Sequence, residues 1–331
     1  MTHVAILGAG IIARSMAATL RGMRDRGEPV SLYAVASRDL ARAQQFAREE
    51  GFSRAYGSYE ELVSDPAVSL VYIATPHSHH LEHMKLAIAH GKHVLCKKAF
   101  TANAVQAEEA IRLGRERDVL VAEAIWTRYM PSRAVIDRII DSGRIGAVTG
   151  INANLCYPMT HKARLTDPNL AGGALLDVGI YPLTFIDMVM GAQEIDHLAT
   201  SMQPYPTGVD AQSTTTLYYA DTTMATALSS MLCVSDREGM VYGTEGYLVC
   251  HNVNNVSAVD IYNTDHARVD HIDMPEQLTG YEYEVAASVQ AIRAGKRDTI
   301  EMPHADTLRM MALLDQIRDE WGLVFPFEHQ D

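Results

Sequence analysis

The sequence is short of basic charge, of paired cysteines and of long apolar runs, and each shortage removes a class of protein. Lys and Arg number 28 against 41 Asp and Glu, a formal net charge of −13 over 331 residues. That balance disfavours nucleic acid and anionic membrane surfaces as partners, since both reward an excess of Lys and Arg. The four cysteines, Cys96, Cys156, Cys233 and Cys250, lie far apart in sequence with no Cys-x-x-Cys spacing. This argues against a disulfide framework and a structural zinc site, and suits a reducing cytoplasm. The opening Met1-Thr2-His3-Val4 lacks the charged segment and apolar run of a secretory leader, and no window approaches about 18 uninterrupted apolar residues. Neither a signal peptide nor a membrane span is expected.

What is present suffices for two domains, at roughly 100–200 residues each. The first third alternates short β-branched runs with segments of helical period, the pattern of a parallel sheet covered on both faces. Strands are expected at His3–Leu7, Val30–Ala36, Leu70–Thr75, His93–Cys96 and Val119–Ala122, with helices between them. Ser58-Tyr59-Glu60-Glu61 has capping-box spacing, so a helix should start there. Beyond residue 122 the rhythm changes to helices near Ser132–Ser142 and Gly172–Met190, then short alternating strands from His197 to Ile272 and two closing helices. The expected fold is α/β: a Rossmann-type doubly wound parallel sheet in residues 1–122, and in 123–331 an α/β domain with a large, mostly antiparallel sheet for substrate binding and oligomerisation. Charge divides at the same place: residues 1–122 carry 15 basic and 13 acidic side chains, and 123–331 carry 13 and 28. The acidic half disfavours a highly anionic substrate.

Directly after the first strand, Gly8-Ala9-Gly10-Ile11-Ile12-Ala13 matches G-x-G-x-x-G/A. Gly8 permits the tight turn, Gly10 a close approach of pyrophosphate to bare backbone, and Ile11 and Ile12 open a helix whose first amides face the phosphates. At the end of the second strand an NAD site usually offers a carboxylate to the ribose. Ser37 stands there instead, and Arg38 and Arg42 can pair with a 2′-phosphate, so NADP is preferred, with NAD as the alternative if Asp39 reaches the ribose. The strand Leu70–Thr75 runs into Pro76-His77-Ser78-His79-His80. Its histidines suggest a metal, yet no carboxylate or cysteine completes a recognisable set, so no metal is expected. A loop covering the cofactor, with Thr75, Pro76, His77 and His80 lining it, is the preferred reading.

Lys97-Lys98 closes the strand His93–Cys96 and faces the same crevice. Alternation along a strand sends the two ammonium groups to opposite faces. In the second domain, Gly172-Gly173 opens a helix on which Asp177 and Tyr181 share one side among apolar neighbours. An acid and a phenol in that setting are either a satisfied core pair or catalytic groups.

Together these motifs resemble the Gfo/Idh/MocA oxidoreductase family, over essentially the whole chain: the Gly8–Ala13 fingerprint, Ala74-Thr75-Pro76 with His80, Gly91–Cys96 leading to Lys98, Gly172–Tyr181, and Gly243-Thr244-Glu245-Gly246. Glu123–Pro131 and Leu175–Tyr181 are similar to the dimeric dihydrodiol dehydrogenase branch, which includes NADP-dependent D-xylose dehydrogenases. The resemblance implies hydride transfer between a nicotinamide and a sugar, cyclic diol or related carbonyl compound. It implies Lys98 and Tyr181 as acid/base groups, a substrate pocket between the domains and a homodimer through the second sheet; on that reading Asp177 orients Lys98 or a substrate hydroxyl, and Trp126 and Arg128 line the pocket. Two other roles stay open: a non-catalytic dinucleotide sensor, and glycoside processing with tightly bound NAD. The family's Glu-Lys-Pro reads Lys97-Lys98-Ala99 here. A cis bond before Ala99 would cost about 3–4 kcal/mol, so a trans bond is expected, with Lys98 displaced.

Overall fold

The computed structural model describes residues 1–329. Two compact units emerge, one of residues 1–125 and 277–311, the other of 126–276 and the segment from 312 onward. The first begins with β1 (Thr2–Leu7), α1 (Ile11–Asp25), β2 (Val30–Ala36), α2 (Leu40–Glu50), β3 (Arg54–Tyr56) and α3 (Tyr59–Ser64). It continues through β4 (Leu70–Ile73), α4 (His80–Ala89), β5 (His93–Lys97), α5 (Ala104–Glu116) and β6 (Val121–Ala124). All six strands pair in parallel, in the order β3-β2-β1-β4-β5-β6. Helices on both faces explain why β4 reads Leu-Val-Tyr-Ile with every residue buried. The order of strand addition reverses between β1 and β4, which opens the crevice at the carboxyl ends where such sheets take ligands.

The second unit holds α6 (Pro131–Asp141), β7 (Val148–Cys156), α7 (Ala163–Thr166), a π-helical stretch at Leu175–Gly179 and α8 (Ile180–Met190). Seven more strands follow: β8 (Ile195–Pro204), β9 (Asp210–Tyr219), β10 (Met224–Ser230), β11 (Gly239–Gly243), β12 (Gly246–His251), β13 (Ala258–Asn263) and β14 (Arg268–Asp273). They form one eight-stranded sheet in the order β14-β13-β12-β11-β7-β10-β9-β8, in which only the β7–β10 pair is parallel. The expected α/β class and mostly antiparallel second sheet are therefore observed. Strand β7, near the centre of the sheet, was not anticipated: Gly150, Asn152 and Asn154 on one face dilute an alternation whose other face, Ile151, Ala153 and Leu155, is fully buried.

That buried face carries α8. Residues 168–190 are apolar and long enough to cross a membrane by composition alone, but 89% of the most apolar window is buried inside the protein. The stretch is a core helix.

A cut between residues 122 and 123 does not end the first unit, because residues 277–311 return to it. Here α9 (Glu282–Arg293) inserts Val285, Val289 and Ala291 into the core formed by Ile6, Met16, Leu20, Leu70, Tyr72 and Leu95. The Glu282 carboxylate accepts the amides of Leu278, Thr279 and Gly280 and fixes the turn before it. The last helix, α10 (His304–Trp321), starts in the first unit's segment and ends in the second's.

Candidate active site

In the first unit, the turn between β1 and α1 is built for close approach by a ligand. Gly8 has φ +106°, and a Cβ there would lie 3.2 Å from the Ala74 carbonyl oxygen, so both conformation and space demand glycine. Gly10 differs: a Cβ added to it would meet no protein atom within 4 Å. Its bareness serves nothing in the fold and leaves room on the ligand side. No side chain caps α1 and no acidic residue sits in its first turn, so its leading amides and positive dipole end are available to an anion. Ile11 is 81% exposed beside them, whereas Ile12 packs toward the core.

Gly8, Gly10, Ser37, Arg38, Arg42, Thr75 and Pro76 line one cavity of about 340 Å³. Arg42 donates from Nη2 to the Ala9 carbonyl at 2.9 Å, which ties the helix-start arginine to the glycine turn. Asp39 lines the same cavity, but its carboxylate caps α2, accepting the amides of Ala41 (2.9 Å) and Arg42 (3.3 Å). Its side chain is thus committed to α2. Tyr59 also belongs to the wall. The only sequence signal at that position was the capping box, and it is realised with one change: Ser58 accepts the Glu61 amide at 3.1 Å, while Glu61 reaches past Ser58 to the Gly57 amide.

His77 and His80 do not line this cavity; both are buried. His80 Nε2 lies 3.0 Å from the Thr75 carbonyl, and Nδ1 lies 2.9 Å from that of Ala99 and 3.2 Å from that of Phe100. The ring bridges the loop after β4 to the turn after β5, and burial pushes its pKa down to about 4. His83 contacts the Thr75 hydroxyl at 2.9 Å and is lowered to about 4 by burial as well. Among the described residues no group of three or more His, Cys, Asp or Glu is arranged to hold a metal.

Lys98 is 5% exposed and follows β5 directly, at the carboxyl end of the sheet. The Lys98–Ala99 bond is cis, correcting the expected trans geometry. Surrounding contacts specify this turn: Ala99 is fully buried, and the two carbonyls after Lys98 both face His80.

In the second unit, Gly173 (φ +117°) turns the chain into the helix so tightly that a Cβ would fall on the Asp210 carboxylate. Asp210, buried at the start of β9, accepts the Leu175 amide at 2.6 Å. Burial raises its pKa to about 7 against those amide hydrogen bonds. The first turns are π rather than α, a geometry frequent at functional sites. Asp177 and Tyr181 are both buried there. The Asp177 carboxylate takes a two-pronged guanidinium from Arg164, at 2.9 and 3.1 Å, a partner that sequence spacing did not reveal. Buried Arg128 donates to Asp187 on α8 at 2.9 Å, and Trp126 beside it is half-buried.

The glycine turn, the uncapped helix and the arginine-flanked cavity fit a phosphorylated dinucleotide, and the class they define is the NAD(P)-dependent oxidoreductase acting on CH–OH groups. An oxidoreductase family model with an NAD-binding Rossmann fold matches residues 2–125, and the Gfo/Idh/MocA C-terminal domain model matches 134–249. The chain belongs to the Gfo/Idh/MocA oxidoreductase family. Trans-1,2-dihydrobenzene-1,2-diol dehydrogenase of Danio rerio is 31% identical over 334 residues, covering 98% of each chain, and the Homo sapiens enzyme of that name is 31% identical over 97% of each. Among solved structures, KijD10, a 3-ketoreductase from Actinomadura kijaniata in complex with NADP and TDP-benzene, superposes with a TM-score of 0.84 at 25% identity, covering 96% of this chain and 97% of that one. Levoglucosan dehydrogenase with NADH and L-sorbose shares the fold at a TM-score of 0.86, with 17% identity over 97% of each chain.

Proposed function

We propose that the protein interconverts a secondary alcohol and a carbonyl group on a neutral sugar or cyclic diol, with NADP as the preferred cofactor. The observation that carries this reading is a pair of buried ionisable groups, Lys98 at the carboxyl end of β5 and Tyr181, 9% exposed, on a mostly apolar helix. Burying such groups is costly and is tolerated where chemistry uses them. The names of the near-full-length relatives, diol dehydrogenases, support the substrate class.

A bound nicotinamide supplies or accepts the hydride. The chain's own residues handle the proton. In oxidation the Tyr181 oxygen takes the proton of the substrate hydroxyl; in reduction it returns it. The Lys98 ammonium stabilises negative charge developing on the substrate oxygen. Asp177, held by Arg164, orients the substrate hydroxyls, with Trp126 and Arg128 selecting among substrates. For the cofactor, Ser37 stands where a carboxylate would repel a 2′-phosphate, Arg38 is free to turn onto that phosphate, and Asp39 is spent on its helix.

The test is turnover of NADP(H) and NAD(H) on a panel of aldoses, inositols, cyclic diols and dicarbonyls, with Lys98→Ala and Tyr181→Phe alongside. Activity on a polyol, lost by about 100-fold or more in both variants, is expected for acid/base groups of this kind. Nucleotide binding without turnover on any member would overturn the enzymatic reading in favour of a sensor, and full activity in both variants would remove the acid/base pair.

The same reading includes a homodimer formed by the outer face of the second sheet, in a cytoplasmic setting. Register places His197, Tyr218, Met224, Gly150, Tyr242, Tyr247 and Tyr262 in one row across seven strands of that face. Tyr247 and Tyr262 stack at 4.7 Å, and His197 and Tyr218 at 4.2 Å. Rigid aromatic rows of this kind suit interface cores. Sedimentation should give a dimer that Met224→Asp with Tyr247→Lys converts to monomer; a monomeric parent protein would refute the assembly.

A further inference from the structure

The cysteines are remote in sequence, but topology brings two of them together. In the second sheet β10 and β11 flank β7 on opposite sides. The connection 231–238 must therefore pass over the carboxyl end of β7, where Cys156 is the last residue. The crossing is observed: Tyr157 donates to the Ser230 carbonyl and Met159 to that of Met231 on the β10 side. Toward β11, Asn154 bonds the Asp236 carboxylate at 2.6 Å and accepts the Arg237 amide at 3.2 Å. At the crest of this arch Cys233 and Ser235 come within electrostatic reach of the Cys156 side chain. Cys156 is buried, Cys233 is exposed, and neither is in a disulfide.

We propose that Cys156 and Cys233 form a reversible intramolecular disulfide when the protein meets a hydroperoxide, making this crossover an oxidation site distinct from the catalytic groups. The exposed Cys233 thiol reacts first: its sulfur takes one oxygen from the peroxide, the O–O bond breaks, and a sulfenic acid and water (or an alcohol) form. Cys156 sulfur then attacks that of Cys233, the S–O bond breaks, and a second water leaves with the Cys156 proton. In sum two thiols lose two electrons and two protons, and the peroxide is reduced. Burial pushes the Cys156 thiol up to about 11, so it stays protonated at neutral pH and serves as the resolving partner. To form the bond the two sulfurs must approach to about 2.05 Å of each other. The arch has the freedom to do so: Val234, next to Cys233, is 75% exposed, and residues 231–238 lie outside any helix or strand. Cys96 and Cys250, both fully buried, are internal controls.

The experiment treats the intact reduced protein with hydrogen peroxide, then counts thiols and maps peptides without reduction. Two of the four thiols should disappear, the chain should become two hydrogens lighter, and the Cys156 and Cys233 peptides should be joined until dithiothreitol is added. Cys156→Ser should instead leave a dimedone-reactive sulfenic acid on Cys233 with no cross-link. Cys233→Ser changes an exposed position and should keep all three remaining thiols under the same treatment. Four persistent thiols in the parent protein, a Cys233 linkage between two chains in place of Cys156, or undiminished thiol loss in Cys233→Ser would each overturn the proposal.

Discussion

Replacing Gly10 by alanine separates what this glycine does for the fold from what it does for the cofactor. Its backbone lies at φ −106° and ψ −168°, a region open to alanine, and the new methyl group would touch no protein atom within 4 Å. Stability should therefore hold or rise, by about 0.4–1 kcal/mol, because alanine restricts the unfolded chain. That corresponds to an upward shift of roughly 1–4 °C in melting temperature. Binding should move the other way. The methyl group occupies the side on which pyrophosphate approaches the first amides of α1, and losing one charge-assisted hydrogen bond costs about 1.5–3 kcal/mol. NADPH affinity should fall roughly 10- to 150-fold.

Gly8→Ala is the natural contrast. With φ +106° and the Ala74 oxygen 3.2 Å from the new carbon, strain of about 1–3 kcal/mol should lower the melting temperature in the absence of nucleotide. Thermal unfolding without nucleotide and fluorescence titration with NADPH measure the two effects separately. If Gly10→Ala bound NADPH within twofold of the parent, or melted well below it, the assignment of this turn to the pyrophosphate would be wrong.

Three further outcomes are expected. Arg38→Ala should weaken NADP binding by about 1.5–3 kcal/mol, the worth of a charge-assisted bond, while leaving NAD affinity unchanged; an unaltered NADP/NAD ratio would exclude Arg38 from the 2′-phosphate. Asp210 has a folded pKa of about 7, above the ~3.9 of an unfolded aspartate; its contribution to stability is full below pH ~4 and is lost as pH rises through about 7, by at most ~4 kcal/mol. Asp210→Asn should flatten the dependence of the urea midpoint between pH 5 and 8, and parallel profiles for parent and variant would reject the assignment. Arg164→Ala removes both guanidinium bonds from the buried Asp177 carboxylate and, since Arg164 is itself 33% exposed, should cost about 1–3 kcal/mol in urea denaturation together with a raised KM; a silent variant would mean the pair positions nothing.

Local patterns in the sequence were enough for the first unit because each βαβ step announces itself. The strand Val30–Ala36 lies where apolar period and punctuation put it, and a helix starts directly after Ser58 as its capping-box spacing requires. The glycine turn was legible for the same reason, since its function depends on adjacent residues. Whatever depends on tertiary return was not. Nothing local marks residues 277–311 as part of the first unit, because Val285 and Val289 would fill any core equally well. Asp39 could be assigned only by seeing which amides its carboxylate meets. His80 looked like a cofactor neighbour but spends both ring nitrogens on backbone carbonyls, a role set by a turn about twenty residues away.

The second unit's site shows how distant contacts reshape a local reading. An apolar helix holding an acid and a phenol is ambiguous in isolation, since a buried carboxylate without a partner would be intolerable. The segment that follows β7 supplies Arg164 to Asp177, and Asp210 on β9 fixes the first turn through the Leu175 amide. The acid and the first turn of the helix are therefore held from outside it. Cys156 ends β7 only eight residues before Arg164 along the chain. A covalent link at Cys156 would anchor the start of the segment that holds Asp177, so oxidation at the arch and the orientation of Asp177 share one stretch of backbone. Peroxide-treated protein should then show a changed KM that dithiothreitol reverses, and that Cys233→Ser never acquires.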